Sequence, residues 1–130
     1  MHMKQVLPEI GDMGKVTAFF ENELRRAGAP SAVIAEINVA VDEIFSNIAR
    51  YSGAEFVRVG LQAEEHRVVM RFEDDGRPYD PVRAPEPDLA LPAQKRKAGG
   101  LGIYMVKKMM DRMEYVYSGG LNQLVVEKGW

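Results

Sequence analysis

The chain predicts an α+β fold, a two-layer sandwich with helices on one face of a mostly antiparallel mixed sheet, and three observations carry that prediction. Two stretches repeat apolar residues at helical spacing before any strong strand signal, and a third recurs late in the chain. Two segments that alternate apolar and polar residues flank that third helix as hairpins. At 130 residues there is room for one core and one domain, spanning 1–130.

An extra short strand is expected around Lys4 to Leu7. From Asp12 to Gly28, Val16, Phe19, Phe20 and Leu24 share one helical face, with Asp12 as N-cap and Gly28 as stop. Pro30-Ser31 restarts the pattern, and Ile34, Ile37, Val41, Ile44, Phe45 and Ile48 mark a longer central helix ending near Ser52-Gly53. Val57, Val59 and Leu61, then Val68, Met70 and Phe72, read as a hairpin broken at Ala63-Glu64-Glu65. Gly76 to Gly99 carries prolines at 78, 81, 85, 87 and 92 and only a short turn at Asp88 to Leu91. So long a connection in a compact domain is functional or disordered. Leu101 to Met113 returns to helical spacing, with Met105, Met109, Met110 and Met113 read as helix packing. The end, EYVYS, Gly119-Gly120 and QLVVEK, is a second hairpin.

Composition narrows the function. A net charge of −2 lacks the basic excess of a nucleic-acid binder. Without cysteine there is no disulfide framework, thiolate metal site or thiol nucleophile. No long apolar run signals a leader or a membrane span, so a cytoplasmic location is expected. His2 and His66 have no partner pattern for metal or catalysis.

Three stretches can hold chemistry. In the central helix, Glu43 and Asn47 lie one turn apart on a stripe with Glu36, Ala40 and Arg50, at the margin of the core. There a carboxylate and an amide oxygen can reach a water, a hydroxyl or Mg²⁺ together, although an isolated E-x-x-x-N is ordinarily a solvated face. Asp74 has the parity of Val68, Met70 and Phe72, so it points inward where its strand stops. A buried carboxylate needs a partner, and a ligand amine is one; Gly76 lets a ligand approach the backbone. The plain alternative is an ordinary strand-ending turn, for which Asp75-Gly76 and Pro78 are usual residues. Finally, Gly99, Gly100 and Gly102 open a helix behind Lys95, Arg96 and Lys97. Helix-end amides and dipole favour an anion, yet the spacing is neither a P-loop nor a dinucleotide fingerprint, and a hinge reads equally well.

Taken in order, EIFSN, DDGRPYDP and AGGLGIYMVKKMMD resemble the N box, the D-x-G box with its F/Y-D-P extension, and the second glycine box of the GHKL (Bergerat-fold) ATPases. The likeness runs from about Ile34 to Lys128 and is nearest to the small anti-sigma-factor serine/threonine kinases of bacteria. It implies ATP and Mg²⁺ as cofactors, Glu43 as general base, Asn47 as Mg²⁺ ligand and Asp74 as acceptor for the adenine amine, with Gly76 making room for the base. It further implies phosphate contacts from the amides of Gly100, Leu101 and Gly102 and from Lys95, Arg96 or Lys97, and an ATP lid over about 77–98. Many relatives carry a Thr in the last hairpin that supports the pocket; here the region reads Leu121-Asn122-Gln123-Leu124, so either an amide does that work or the contact is absent. The implied function is an ATP-dependent protein kinase that phosphorylates a STAS-domain anti-anti-sigma protein and sequesters a sigma factor, as a homodimer, with neither nucleic acid nor membrane as partner. A non-catalytic, nucleotide-dependent binding switch is the alternative. A histidine kinase catalytic domain working alone fits less well, because no helical pair with a phospho-acceptor His precedes the fold.

Overall fold

The computed structural model describes residues 1–83 and 100–130, with side chains from 102 onward in the second stretch. Strand β1 (His2–Val6) and a 3-10 turn (Ile10–Asp12) lead into helices α1 (Met13–Arg26) and α2 (Ser31–Tyr51). The hairpin β2 (Val57–Glu64) and β3 (Arg67–Asp74) follows, then α3 (Gly100–Met109) and the hairpin β4 (Arg112–Ser118) and β5 (Leu121–Gly129). The five strands form one sheet in the order β1-β2-β3-β5-β4. All four neighbouring pairs are antiparallel, so the expected mixed sheet is a purely antiparallel one among the described residues.

Alternation decides which face the helices cover. Val57, Val59, Leu61, Val68, Met70, Phe72, Leu124 and Val126 are buried with Phe20, Leu24, Ile37, Val41, Ile44 and Phe45 of α1 and α2 in one core. Phe20 packs on Phe72 at 5.5 Å and on Phe19 at 5.3 Å between ring centres. Among the described residues no helix is long and apolar enough to cross a membrane.

Several boundaries differ from expectation for identifiable reasons. β1 starts at His2 and ends at Val6, where its ladder with β2 stops at Val6↔Val57. Asp12 makes no side-chain cap on α1; instead its Oδ2 accepts from the Leu7 amide at 3.0 Å, fixing the link from β1. Helix α3 ends at Met109 instead of Met113. Lys128 Nζ donates to the Met109 carbonyl at 2.8 Å, where a cation also suits the helix C-terminus. The Asp111 amide then pairs with the Glu127 carbonyl and its carboxylate accepts from the Gly129 amide, so the chain is already captured by β5. Met113 therefore sits in β4; it, Met109 and Met110 pack on the core, but Met105 is exposed. The Asp88 to Leu91 turn lies outside the described residues.

Gly119 and Gly120 both have positive φ, 62° and 78°, as a two-residue turn between twisted strands requires.

Candidate functional site

The stripe Glu36, Ala40, Glu43 and Asn47 on α2 is covered by α3 along much of its length. Near the start of α2, Glu36 pairs with Lys128 at 3.0 Å, and Lys128 in turn holds the last carbonyl of α3. Seven residues on, the Glu43 carboxylate lies against Gly102 in the first turn of α3; a Cβ there would stand 2.7 Å from Glu43 Cδ and closer still to Oε2. The two helices therefore run antiparallel, and Ala40 between these points is fully buried. Glycine at 102 lets the Glu43 carboxylate rest here; a Cβ would push the end of that side chain aside. Asn47, about 6 Å further along α2 at 1.5 Å per residue, extends beyond the N-terminus of α3 on the same stripe.

Gly100, Leu101 and Gly102 are the first three residues of α3. Their amides have no acceptor within the helix, and the dipole of a ten-residue helix points its positive end at that spot. Lys95 and Lys97 lie outside the described residues, as does the expected lid beyond residue 83.

The other end of the site is built where β3 stops. Asp74 is 5% exposed, and its Oδ1 accepts from the Gly76 amide at 2.9 Å and from Asn122 Nδ2 at 3.1 Å. Among the described residues Oδ2 accepts nothing. Burial raises the Asp74 carboxyl above its ordinary range, the two hydrogen bonds oppose the rise, and neighbouring Asp75 adds to it. The oxygen of this buried carboxylate that has no donor among the described residues fits a ligand amine.

Gly76 has a steric role inside the protein. A Cβ at this position would meet the Ser52 carbonyl at 2.5 Å, Ser52 Cβ at 2.6 Å and Asp74 Oδ1 at 2.9 Å. The strand end is thus pressed onto the end of α2, where Arg77 adds a backbone bond to the Ser52 carbonyl at 2.9 Å and a guanidinium bond to the Tyr51 carbonyl. Asp75 faces the other way and accepts from the amides of Glu55 and Phe56 at 2.8 and 3.2 Å. Burial works against its charge, but those amides prevail and hold its carboxyl below the ordinary range.

Asn122 answers the expectation of an amide in the last hairpin. It is 6% exposed and lies directly across from Asp74 in the β3–β5 ladder. Its Nδ2 donates to Asp74 and to the carbonyls of Gly76 at 3.2 Å and Arg77 at 2.9 Å. Its Oδ1 accepts from the Tyr79 amide at 3.2 Å and from the Tyr115 hydroxyl. Burial pushes the Tyr115 phenol up, which keeps it a donor. Residues 77–83, the expected start of the lid, are consequently tied to the sheet; Asp80 Oδ1 accepts from the Val82 amide at 2.9 Å, and Val82 packs on the core. The signal for Asn122 was present in the sequence, since it breaks the apolar parity of Leu124 and Val126. Nothing local pointed to Ser52, Asp75, Arg77 or Tyr115.

These elements arrange a two-ended site along α2. Glu43 marks one end and Ser52 the other, nine residues apart, or about 13 Å. The N-terminus of α3 stands at the Glu43 end, Asn47 follows one turn along α2, and the Asp74 carboxylate, with one oxygen that accepts nothing among the described residues, stands near the Ser52 end. Among the described residues no cluster of three or more metal-ligating His, Cys, Asp or Glu occurs. The donor set nevertheless fits a nucleotide and a hard cation partly ligated by phosphate oxygens.

The chain belongs to the histidine kinase-like ATPase domain family, whose profile matches residues 6–128, and that membership makes it an ATP-binding domain. Among named relatives, it is similar to the serine/threonine-protein kinase BtrW of Bordetella bronchiseptica, 24% identical over 69% of this chain and 66% of that protein. It is likewise similar to the serine-protein kinase RsbW of Listeria monocytogenes, 23% identical over 92% of this chain and 80% of that one. Of solved structures, the RsbU and RsbW domains of a Mycobacterium tuberculosis protein superpose with a TM-score of 0.63 at 16% identity, covering 99% of this chain and 32% of that one. The Acinetobacter baumannii histidine kinase AdeS gives a TM-score of 0.55 at 15% identity, covering 99% and 68%. Both likenesses establish the fold.

Proposed function

We propose that the protein is an ATP- and Mg²⁺-dependent serine/threonine kinase of the anti-sigma type, one domain over residues 1–130 with a lid over about 77–98. Its substrate would be a serine or threonine of a STAS-domain anti-anti-sigma protein, and it would exchange that partner for a sigma factor, working as a cytoplasmic homodimer. The relatives named as serine kinases support this reading. The observation that carries it is the position of Glu43: a carboxylate pressed against the first turn of α3, about 13 Å along α2 from the end that holds Asp74. Recognition of the base alone does not need a carboxylate beside the anion end of the site.

In this reading Asp74 Oδ2 accepts from the adenine amine while Gly76 and Asn122 fix the carboxylate from behind. The amides of Gly100, Leu101 and Gly102 hold phosphate oxygens at the positive end of α3, with Lys95 and Lys97 adding charge from the lid. Asn47 would hold Mg²⁺, which would supply neutralisation of phosphate charge. Glu43 takes the proton of the attacking hydroxyl as its oxygen bonds to phosphorus and the bond to the ADP oxygen breaks.

The test uses labelled ATP, Mg²⁺ and candidate STAS proteins. Label on a STAS serine or threonine is expected from the parent, with transfer lost in Glu43→Ala while ATP affinity by calorimetry persists, and with ATP affinity itself lost in Asp74→Asn. ATP binding with no label on any candidate would favour the binding switch. If both variants bind ATP like the parent, the site assignment is wrong.

A further inference from the structure

Asn122 does more than brace Asp74. Its two N–H groups face three acceptors and its oxygen faces two donors, and these contacts fix the amide in one orientation: turning it over would place its carbonyl oxygen against the Asp74 carboxylate and the Gly76 and Arg77 carbonyls. In that orientation Asn122 and the Gly76 amide together take up Asp74 Oδ1, because a carboxylate oxygen offers about two acceptor directions. Among the described residues, what remains for a ligand is Oδ2.

The count matters because purines differ in how many donors they present side by side. Guanine carries N1–H next to the N2 amine, a pair that suits both oxygens of a carboxylate in the two-pronged manner that makes such contacts strong. Adenine carries one amine beside a ring nitrogen that is itself an acceptor, and one free oxygen serves it fully. We infer that Asn122 is a base-selecting residue: by occupying one oxygen of Asp74 it leaves the site a single acceptor, which admits adenine and denies guanine its paired contact. This inference rests on the nucleotide reading above. Asn122 acts here as a positioning residue, since it sets the acceptor geometry of Asp74 without being required to touch the base.

Calorimetry of the whole chain with the Mg²⁺ complexes of ATP, GTP and ITP tests it, ITP being guanine's analogue without the N2 amine. In the parent, ATP is expected to bind at least about tenfold more tightly than GTP, and GTP and ITP to agree within about twofold. A parent that binds GTP about tenfold better than ITP would overturn the inference, because the second oxygen would then be in use. In Asn122→Ala the freed oxygen should let GTP gain about tenfold over ITP, and the ATP-to-GTP preference should shrink. Equal weakening for all three nucleotides would mark a purely structural role and also overturn it. Should Asn122→Ala fail to fold, the GTP-to-ITP ratio of the parent still decides. A parent that binds ATP with the wrong ratios sinks this inference alone, whereas a parent that binds no nucleotide sinks the proposed function with it.

Discussion

The layer between helices and sheet has two unlike ends. Around Phe20, the buried side chains of Leu24, Ile37, Phe45 and Phe72 share one hydrophobic cluster, and Phe19 at its margin packs edge-on against His2. Around Asn122, an equally buried position is crowded with a carboxylate, an amide, backbone carbonyls and a phenol, and one carboxylate oxygen is left over. The first end is saturated by its own contacts and exists to hold the fold. The second keeps a carboxylate oxygen that accepts nothing among the described residues, at the place where the proposed ligand amine would bond, so binding there adds stability.

Substitutions at the two ends should therefore separate stability from function. Phe20→Ala is expected to cost about 3–5 kcal/mol of unfolding free energy, measured by denaturant titration, with nucleotide affinity unchanged in the fraction still folded. Gly102→Ala should do the reverse. A Cβ at 102 displaces the end of the Glu43 side chain, a movable group, and alanine favours the helix by up to about 1 kcal/mol, so the protein stays folded. Phosphoryl transfer should nevertheless fall by about 10²–10⁴ in a single-turnover assay, the range for losing a positioned base. Retention of full transfer would break the assignment of Glu43.

The two aspartates that end β3 repeat the contrast one position apart. The folded-state carboxyl of Asp74 is raised, so folding disfavours its charge; its contribution is favourable below the ordinary value of 3.8 and lost as pH rises through the raised one. Asp75 is lowered, so its contribution is present above that ordinary value and lost as pH falls through the depressed one. Asp74→Asn should accordingly gain stability over the parent as pH rises from acid to neutral, while losing ATP. A stability difference that stays flat with pH would show that Asp74 is not desolvated. The smallest expected effect lies far from either end. His66 holds a positive φ of 57° in the β2–β3 turn, and His66→Gly should add about 1 kcal/mol of stability with no change in transfer.

The two ends were also unequally legible in the sequence. Phe20, Ile37 and Phe72 follow from periodicity, because burial of a helix or strand face is a local pattern. Glu43, Asp74 and Gly102 were found as members of short motifs, but their relation was not: that Gly102 rests on Glu43 depends on α3 lying antiparallel to α2. Asn122 was visible only as a polar residue at an inward position. Four of its five partners come from β3 and the segment after it, and no spacing rule gathers residues 43 to 48 positions away; the fifth, Tyr115, stands seven residues back in β4. The end of α3 was misjudged for the same reason, since Lys128 and Asp111 stop it through contacts with β5 instead of through a cap in the sequence.

The pairing of Asp74 with Asn122 across the central ladder has a consequence for how the chain matures. If β5 slipped by one residue along β3, Leu121 or Gln123 would stand opposite Asp74, and every side chain of β5 would change face. The Asp74–Asn122 pair is thus a checksum on strand alignment, complete in one register and absent in its neighbours. On the proposed function, a nucleotide bound there would draw folding toward the correctly aligned molecule, the ligand inspecting the sheet that recognises it.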